Sequence, residues 1–204
     1  MGTDLLWGTG RFAEPDSGHV VRPSLLWTLG LFAEVAEAAA CGDGTGLQLL
    51  RSPVSQKDAI ATTAHRQQVT PGSSLSLLAE VRGASPGSSI ELKWYDANAG
   101  GSVGGIRIPI PESSADADCE LVRIDAEVPD GIVAAQPYLR LAPPDSETLS
   151  SSLYVDNIRL IEWAAPGSAG RLFDSVEAGP GASVGFTVDA EAGAGAPGPL
   201  VAGR

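Results

Sequence analysis

In residues 152–163 the apolar alternation changes phase in the middle of a strand. Leu153 and Val155 share one phase, and Ile158 and Leu160 share the other. A strand places residues i and i+2 on one face, so a slip of this kind requires a β-bulge or bend at Asp156 and Asn157. Bulges re-aim side chains, and the one carried here is a carboxylate. The feature constrains the fold closely and the function loosely. No residue set in the chain spells out a reaction.

Elsewhere the alternation is simpler. In 74–82, Leu75, Leu77, Ala79 and Val81 share a phase. In 89–96, Ile90, Leu92 and Trp94 face one way and Glu91, Lys93 and Tyr95 the other. In 120–128, Val122, Ile124, Ala126 and Val128 point inward. Period-two alternation marks half-buried strands. Further strands are expected over 5–12, 47–51, 59–69, 105–110 and 133–141. Residues 23–35 fit two periods: Leu25, Trp27, Leu29 and Leu31 alternate, while Leu25, Leu29, Phe32 and Ala36 form a helical stripe. A strand to about Leu31 is preferred, followed by irregular chain over 34–40. Turn signals such as Thr70-Pro71-Gly72 and Pro129-Asp130-Gly131 separate the runs. Eight to ten strands with no convincing helix predict an all-β sandwich or barrel over 1–163. After Trp163 the composition shifts, and 164–204 reads as a linker, a hairpin and a flexible Gly/Ala/Pro-rich tail. The hairpin is expected from 171–177 and 183–189 around Gly179-Pro180-Gly181.

The acids outnumber the bases 25 to 13, for a net charge of −12. This argues against nucleic acid, whose phosphates require clustered Lys and Arg. It argues equally against an anionic membrane surface. No apolar run approaches the roughly 20 residues of a membrane-spanning helix, so no membrane insertion is expected. No signal peptide opens the chain. The expectation is a piece of a longer protein whose signal or catalytic partner lies upstream. Trp7, Trp27 and Trp94 sit in apolar phase and read as core. Cys41 and Cys119 admit two readings: a pair of small buried hydrophobes, or one disulfide of a secreted domain.

The catalytic inventory is thin. Neither His19 nor His65 has a His or Cys at metal-ligand spacing, which argues against zinc. No Gly-x-Ser-x-Gly elbow occurs. Gly42-Asp43-Gly44-Thr45-Gly46 lacks the lysine and the following helix of a phosphate loop. These observations predict binding without turnover.

Several segments, in order, resemble the galactose-binding-like jelly-roll superfamily of carbohydrate-binding modules. They are Gly10-Arg11-Phe12-Ala13-Glu14, Gln67-Gln68-Val69-Thr70-Pro71-Gly72, Leu92-Lys93-Trp94-Tyr95-Asp96, Val128-Pro129-Asp130-Gly131 and Tyr154-Val155-Asp156-Asn157-Ile158-Arg159-Leu160. The resemblance spans roughly 5–163. It implies an antiparallel jelly-roll sandwich in a secreted or cell-surface protein. Arg11 departs from the small acid or amide usual before Phe12. A lesser resemblance joins the Leu-Trp-Gly-Thr-Gly-Arg-Phe opening and 138–144 to the accessory region of CapA-type (poly-γ-glutamate) capsule-synthesis proteins.

The superfamily resemblance also implies a structural Ca²⁺ held by Glu14 and Asp156, helped by carbonyls near Thr45. Calcium takes six to eight oxygens, so backbone and water would complete the shell. The other reading of Glu14 and Asp156 is a pair of acids that are solvated or cap a turn. A sugar site needs aromatic faces and hydrogen-bonding side chains on one sheet face. The polar-phase candidates are Glu91, Lys93 and Tyr95 from one strand and Gln136, Tyr138 and Arg140 from another, with Arg66 and Gln68 beside them. The other reading of this face is an ordinary solvated surface. The functional expectation is a non-catalytic module that binds polysaccharide. The alternative is a structural or interaction accessory domain, of the capsule-synthesis or phage-tail type, that binds no sugar; this face would then dock a neighbouring domain of a longer chain.

Overall fold

A computed structural model describes residues 2–6, 12, 27–42, 44–51, 57–98, 100–143, 150–163, 186–187 and 201–202. The chain divides into a unit of Met1–Pro166 and one of Gly167–Arg204.

In the first unit the strands are β1 (Gly2–Asp4), β2 (Trp27–Leu29), β3 (Ala33–Ala36), β4 (Gly46–Arg51), β5 (Ala59–Thr63) and β6 (Gln67–Gln68). They continue with β7 (Ser74–Arg82), β8 (Ser88–Asp96), β9 (Gly104–Pro109), β10 (Glu120–Glu127), β11 (Ile132–Leu141) and β12 (Ser151–Trp163). All pairings are antiparallel. Sheet I has the order β10-β7-β12-β4-β3 with β1 also on β12, and sheet II the order β2-β5-β11-β8-β9 with β6 also on β11. Among the described residues the helical content is one 3₁₀ turn, Glu37–Ala39.

The inner faces form one core. From sheet I come Leu47, Leu49, Leu75, Leu77, Ala79, Leu153, Val155, Ile158 and Leu160; from sheet II come Trp27, Ala61, Ile90, Leu92, Trp94, Leu139 and Leu141. Trp27 and Trp94 are therefore core, as their phase predicts, and Trp27 packs 5.3 Å from Phe12 between ring centroids. Trp7 lies outside the described residues.

The phase slip is real. The register of β12 against β7 shifts between Asp156 and Arg159, and Asn157 adopts φ 49°. Asn tolerates this left-handed conformation better than most residues, which is why the slip can sit there. The bulge has a topological cause. On its other edge β12 pairs first with β4 through Val155 and then with β1 from Ile161. The bulge occupies the interval between the two partners.

Several expected elements need correction. The first described strand is Gly2–Asp4, and Leu5 and Leu6 form a turn; residues 7–11 of the strand expected over 5–12 lie outside the described residues. Residues 33–36 form β3 instead of irregular chain, because Phe32 at φ 72° reverses the chain and lays it along β4. The run 59–69 is broken into β5 and β6 by a bend after Thr63, where the Thr63 hydroxyl donates to the His65 carbonyl at 2.8 Å.

Cys41 and Cys119 form a disulfide across 78 residues of chain. It joins the approach to β4 to the approach to β10, so it ties together two non-adjacent strands of sheet I. In the second unit, Phe186–Thr187 pairs antiparallel with Val201–Ala202. The expected hairpin partner, 171–177, lies outside the described residues. Val201 and Ala202, read from sequence as tail, are strand.

Candidate functional site

Sheet II carries the six polar-phase candidates on its outer face. β8 and β11 pair so that Tyr95 opposes Ala134, Lys93 opposes Gln136 and Glu91 opposes Tyr138. All six side chains therefore share one surface, and Ile60 and Thr62 of β5 extend it past Arg140 and Tyr138.

The tyrosines are less accessible than alternation alone suggests. Tyr95 is only 4% exposed. Its hydroxyl donates to Gln136 Oε1 at 2.9 Å and lies 3.5 Å from the Tyr138 hydroxyl. Gln136, also buried, donates from Nε2 to the Thr63 carbonyl at 2.6 Å. The ring faces are occupied too. The Arg66 guanidinium lies 3.8 Å from the Tyr95 ring centre, and Lys93 Nζ lies 3.8 Å from that of Tyr138. These are cation–π distances. Burial, followed by the hydrogen bond and proximity to Tyr138, pushes the Tyr95 hydroxyl up to about 12. Tyr95 is thus a neutral structural donor, buried although its polar phase predicts a side chain open to a ligand.

The charged members form a second layer of the cluster. Arg140 pairs with Asp58, just ahead of β5. Glu91 Oε2 sits 3.9 Å from Arg140 Nη2 and 4.0 Å from Lys93 Nζ. Both distances exceed hydrogen-bond length. Glu91 Oε2 and Arg140 Nε are buried atoms without a hydrogen-bond partner. At the neighbouring edge, Arg107 of β9 donates from Nε to Ser89 Oγ at 2.9 Å. Sequence reading missed Asp58, Thr63 and Arg107. Only the cross-strand register identifies them, since each belongs to a different strand or loop. Gln68 of β6 opposes Ala134 and lies at the margin of the cluster.

The bulge forms a separate polar point. Asp156, 5% exposed, accepts the Cys41 N–H at 3.0 Å through Oδ2 and the Asn157 N–H at 2.7 Å through Oδ1. The Thr45 hydroxyl donates to the Phe12 carbonyl. Glu14 lies outside the described residues. Among the described residues no group of three or more His, Cys, Asp or Glu is gathered in a way that could hold a metal ion.

No family model matches the chain, and no curated protein matches it. Solved structures do. One is the CBM22-1 xylan-binding domain of Xyn10C from Paenibacillus barcinonensis, at 12% identity and a TM-score of 0.50, covering 81% of this chain and 97% of that domain. Another is a family 16 carbohydrate-binding module, at 19% identity and a TM-score of 0.47, covering 64% of this chain and 86% of that one. The CBM22-2 xylan-binding domain of the same Xyn10C matches at 12% identity and a TM-score of 0.42, over 78% of this chain and 97% of the domain. The CBM22-1 domain, at this identity, shows a shared fold, the antiparallel jelly-roll β-sandwich. The comparisons give no support to the capsule-synthesis resemblance.

Proposed function

We propose that this chain is a non-catalytic carbohydrate-binding module of a larger secreted or cell-surface protein. The observation that carries the reading is the convergence of Glu91, Lys93, Gln136, Tyr138 and Arg140 around Tyr95 on one sheet face. The fold supports it, and the disulfide suits an oxidising compartment. Gln136 and Tyr95 hold the cluster rigid from below. Glu91, Lys93, Arg140 and the Tyr138 hydroxyl supply the acceptors and donors that sugar hydroxyls require. The gaps of 3.9 and 4.0 Å around Glu91 suit an inserted hydroxyl or water better than a direct ion pair. Stacking on Tyr138 requires Lys93 to leave the ring, so polar contacts dominate recognition here. Turnover is not expected from this set, because no nucleophile is paired with a general base in it.

Affinity electrophoresis through soluble neutral polysaccharides, xylan first, tests the reading. Glu91→Gln and Tyr138→Ala should each weaken retention roughly tenfold or more, as loss of a hydrogen bond to a charged group does. Tyr95→Ala is the wrong probe, because the buried ring supports the fold. Unchanged retention in both variants would favour the other occupant, a neighbouring domain of the longer chain.

We also propose a structural Ca²⁺ held by Glu14 and Asp156. Asp156, the Phe12 carbonyl and the Thr45 hydroxyl are all oxygen donors, the chemistry that Ca²⁺ selects. Glu14 would supply the second carboxylate. Chelation of metal-replete protein should then lower the melting temperature, and an unchanged transition would remove calcium from the account.

A further inference from the structure

The outer face of sheet I carries a groove of about 530 Å³ that the six-residue cluster does not touch. Its floor is made by two short side chains, Ser74 and Ser76 of β7. One wall is Trp163 at the end of β12. The other is Arg123, Asp125 and Glu127 of β10. The register explains the trench: Ser74 is opposed by Trp163 on one side and Glu127 on the other, and Ser76 by Ile161 and Asp125. Two small residues flanked by long ones leave a channel along the strand.

Trp163 is 40% exposed at this wall and is held in place. Its indole N–H donates to Ser76 Oγ at 2.9 Å, and Ser76 Oγ donates to Asp125 Oδ1 at 2.6 Å. The adjoining Glu162 carboxylate accepts the Thr70 N–H and the Ser73 hydroxyl, both at 2.7 Å, and so anchors the strand end to the turn before β7. On the other flank Gly2 leaves room for the ring. A Cβ there would come within 2.9 Å of Trp163 Cε3 and Cζ3. The N–H is committed to Ser76, so the aromatic surface is what the groove offers a ligand.

The polar wall limits what that ligand can be. Arg123 Nε lies 2.6 Å from Asp125 Oδ2, with both side chains more than half exposed. Hydrogen bonds from Ser76 and then Arg123 hold the Asp125 carboxyl below the usual carboxylate range, so it is an acceptor at any neutral or mildly acidic pH. Two carboxylates against one guanidinium, on a chain of net charge −12, disfavour a phosphate or another anion. A serine floor disfavours a purely apolar ligand. A fixed indole face beside clustered donors and acceptors suits a ring with one apolar face and hydroxyls at its edge.

We propose that this groove is a second glycan site, in which a neutral sugar ring lies against Trp163 and its hydroxyls bond to Asp125, Arg123 and Glu127. The inference takes from the proposed function only that the ligand is a glycan. Its location and residues are independent of the Tyr95–Tyr138 face. It gives the module two binding faces, one on each sheet.

The test runs the same polysaccharide panel on Trp163→Ala, Ser74→Leu and Tyr138→Ala side by side. Ser74 is exposed, so leucine there fills the trench without disturbing the core, which keeps the test valid if Trp163→Ala folds poorly. On at least one polysaccharide Trp163→Ala and Ser74→Leu should each weaken retention about tenfold or more, and combining either with Tyr138→Ala should weaken it further than Tyr138→Ala alone. Trp163→Phe should retain part of the binding, because a ring surface remains. If Tyr138→Ala abolishes all retention and the groove variants match wild type, the groove proposal fails and the first site stands. If the groove variants abolish all retention and Tyr138→Ala is silent, the groove is the sole site. If wild type is retained by none of the panel, both proposals fall.

Discussion

On the outer face of sheet II, Tyr95 and Tyr138 are each overlain by a cation, and Tyr95 is sealed beneath Arg66 and Gln136. On the outer face of sheet I, Trp163 keeps part of its ring exposed above two serines. Both faces are polar in sequence phase, and both contain aromatic, basic and acidic residues. They differ in the size of the residues between the aromatic and the charges. On sheet II long side chains fill most of the space and leave only narrow gaps around Glu91 Oε2. On sheet I Ser74 and Ser76 are too short to fill it. Chemical composition alone does not make a surface available, because availability depends on what the cross-strand neighbours leave open.

The two inner faces contribute to one core, and the largest expected effects test this. Leu77 of sheet I and Leu139 of sheet II are both fully buried in the common core. Leu77→Ala and Leu139→Ala should each cost about 2–5 kcal/mol in denaturant unfolding. A loss below about 1 kcal/mol for either would place that side chain outside a shared core. Next in size is the disulfide. Replacing Cys41 and Cys119 by serine should cost roughly 2–4 kcal/mol, read as a lower midpoint that no longer responds to reductant. Glycan retention by protein that is still folded should be unchanged, since the bridge touches neither face.

The buried network of sheet II provides a third test. Gln136→Leu removes the acceptor of the Tyr95 hydroxyl and the donor to the Thr63 carbonyl, and should cost about 1–3 kcal/mol. The same network predicts a pH signature. Tyr95 titrates at about 12 in the folded chain, above its ordinary value of 10.0. The native state therefore holds its proton more tightly than the unfolded state. That stability is fully present below the unfolded value and is lost as pH rises through the folded one. Tyr95→Phe should flatten the alkaline decline, and an unchanged profile would mean that Tyr95 is not sealed. The smallest effect belongs to sheet I. The exposed Arg123–Asp125 pair should contribute well under about 1 kcal/mol, so Arg123→Ala should leave the unfolding midpoint nearly unmoved. A large loss there would mean that the groove is structural and not open.

Much of the fold could be read from local pattern. β7, β8, β10 and β12 lie where the alternation places them, because a strand with one buried face carries its period in its own residues. The failures have local causes as well. β3 was hidden because the left-handed position of the turn is filled by Phe32 and not by the glycine that opens it, Gly30, so the residue types do not show that the chain reverses there. The long run 59–69 concealed a bend that its apolar content does not signal. The site was only half legible. Sequence phase grouped Glu91, Lys93 and Tyr95, and separately Gln136, Tyr138 and Arg140. It did not show that Arg66 and Lys93 would cover the rings.

By itself the sequence determined that this chain is all-β, a sandwich or a barrel, where most of its core strands run, and that β12 must bulge at Asp156 and Asn157. Each of these follows from the order of apolar and polar residues along a single strand. Only the tertiary structure decided that Cys41 meets Cys119, that Asp58 and Arg107 join the polar cluster, and that Trp163 overlooks a trench of serines. Those facts depend on the register between strands distant in sequence. Register is set by the packing of the whole sandwich, so no single segment carries it.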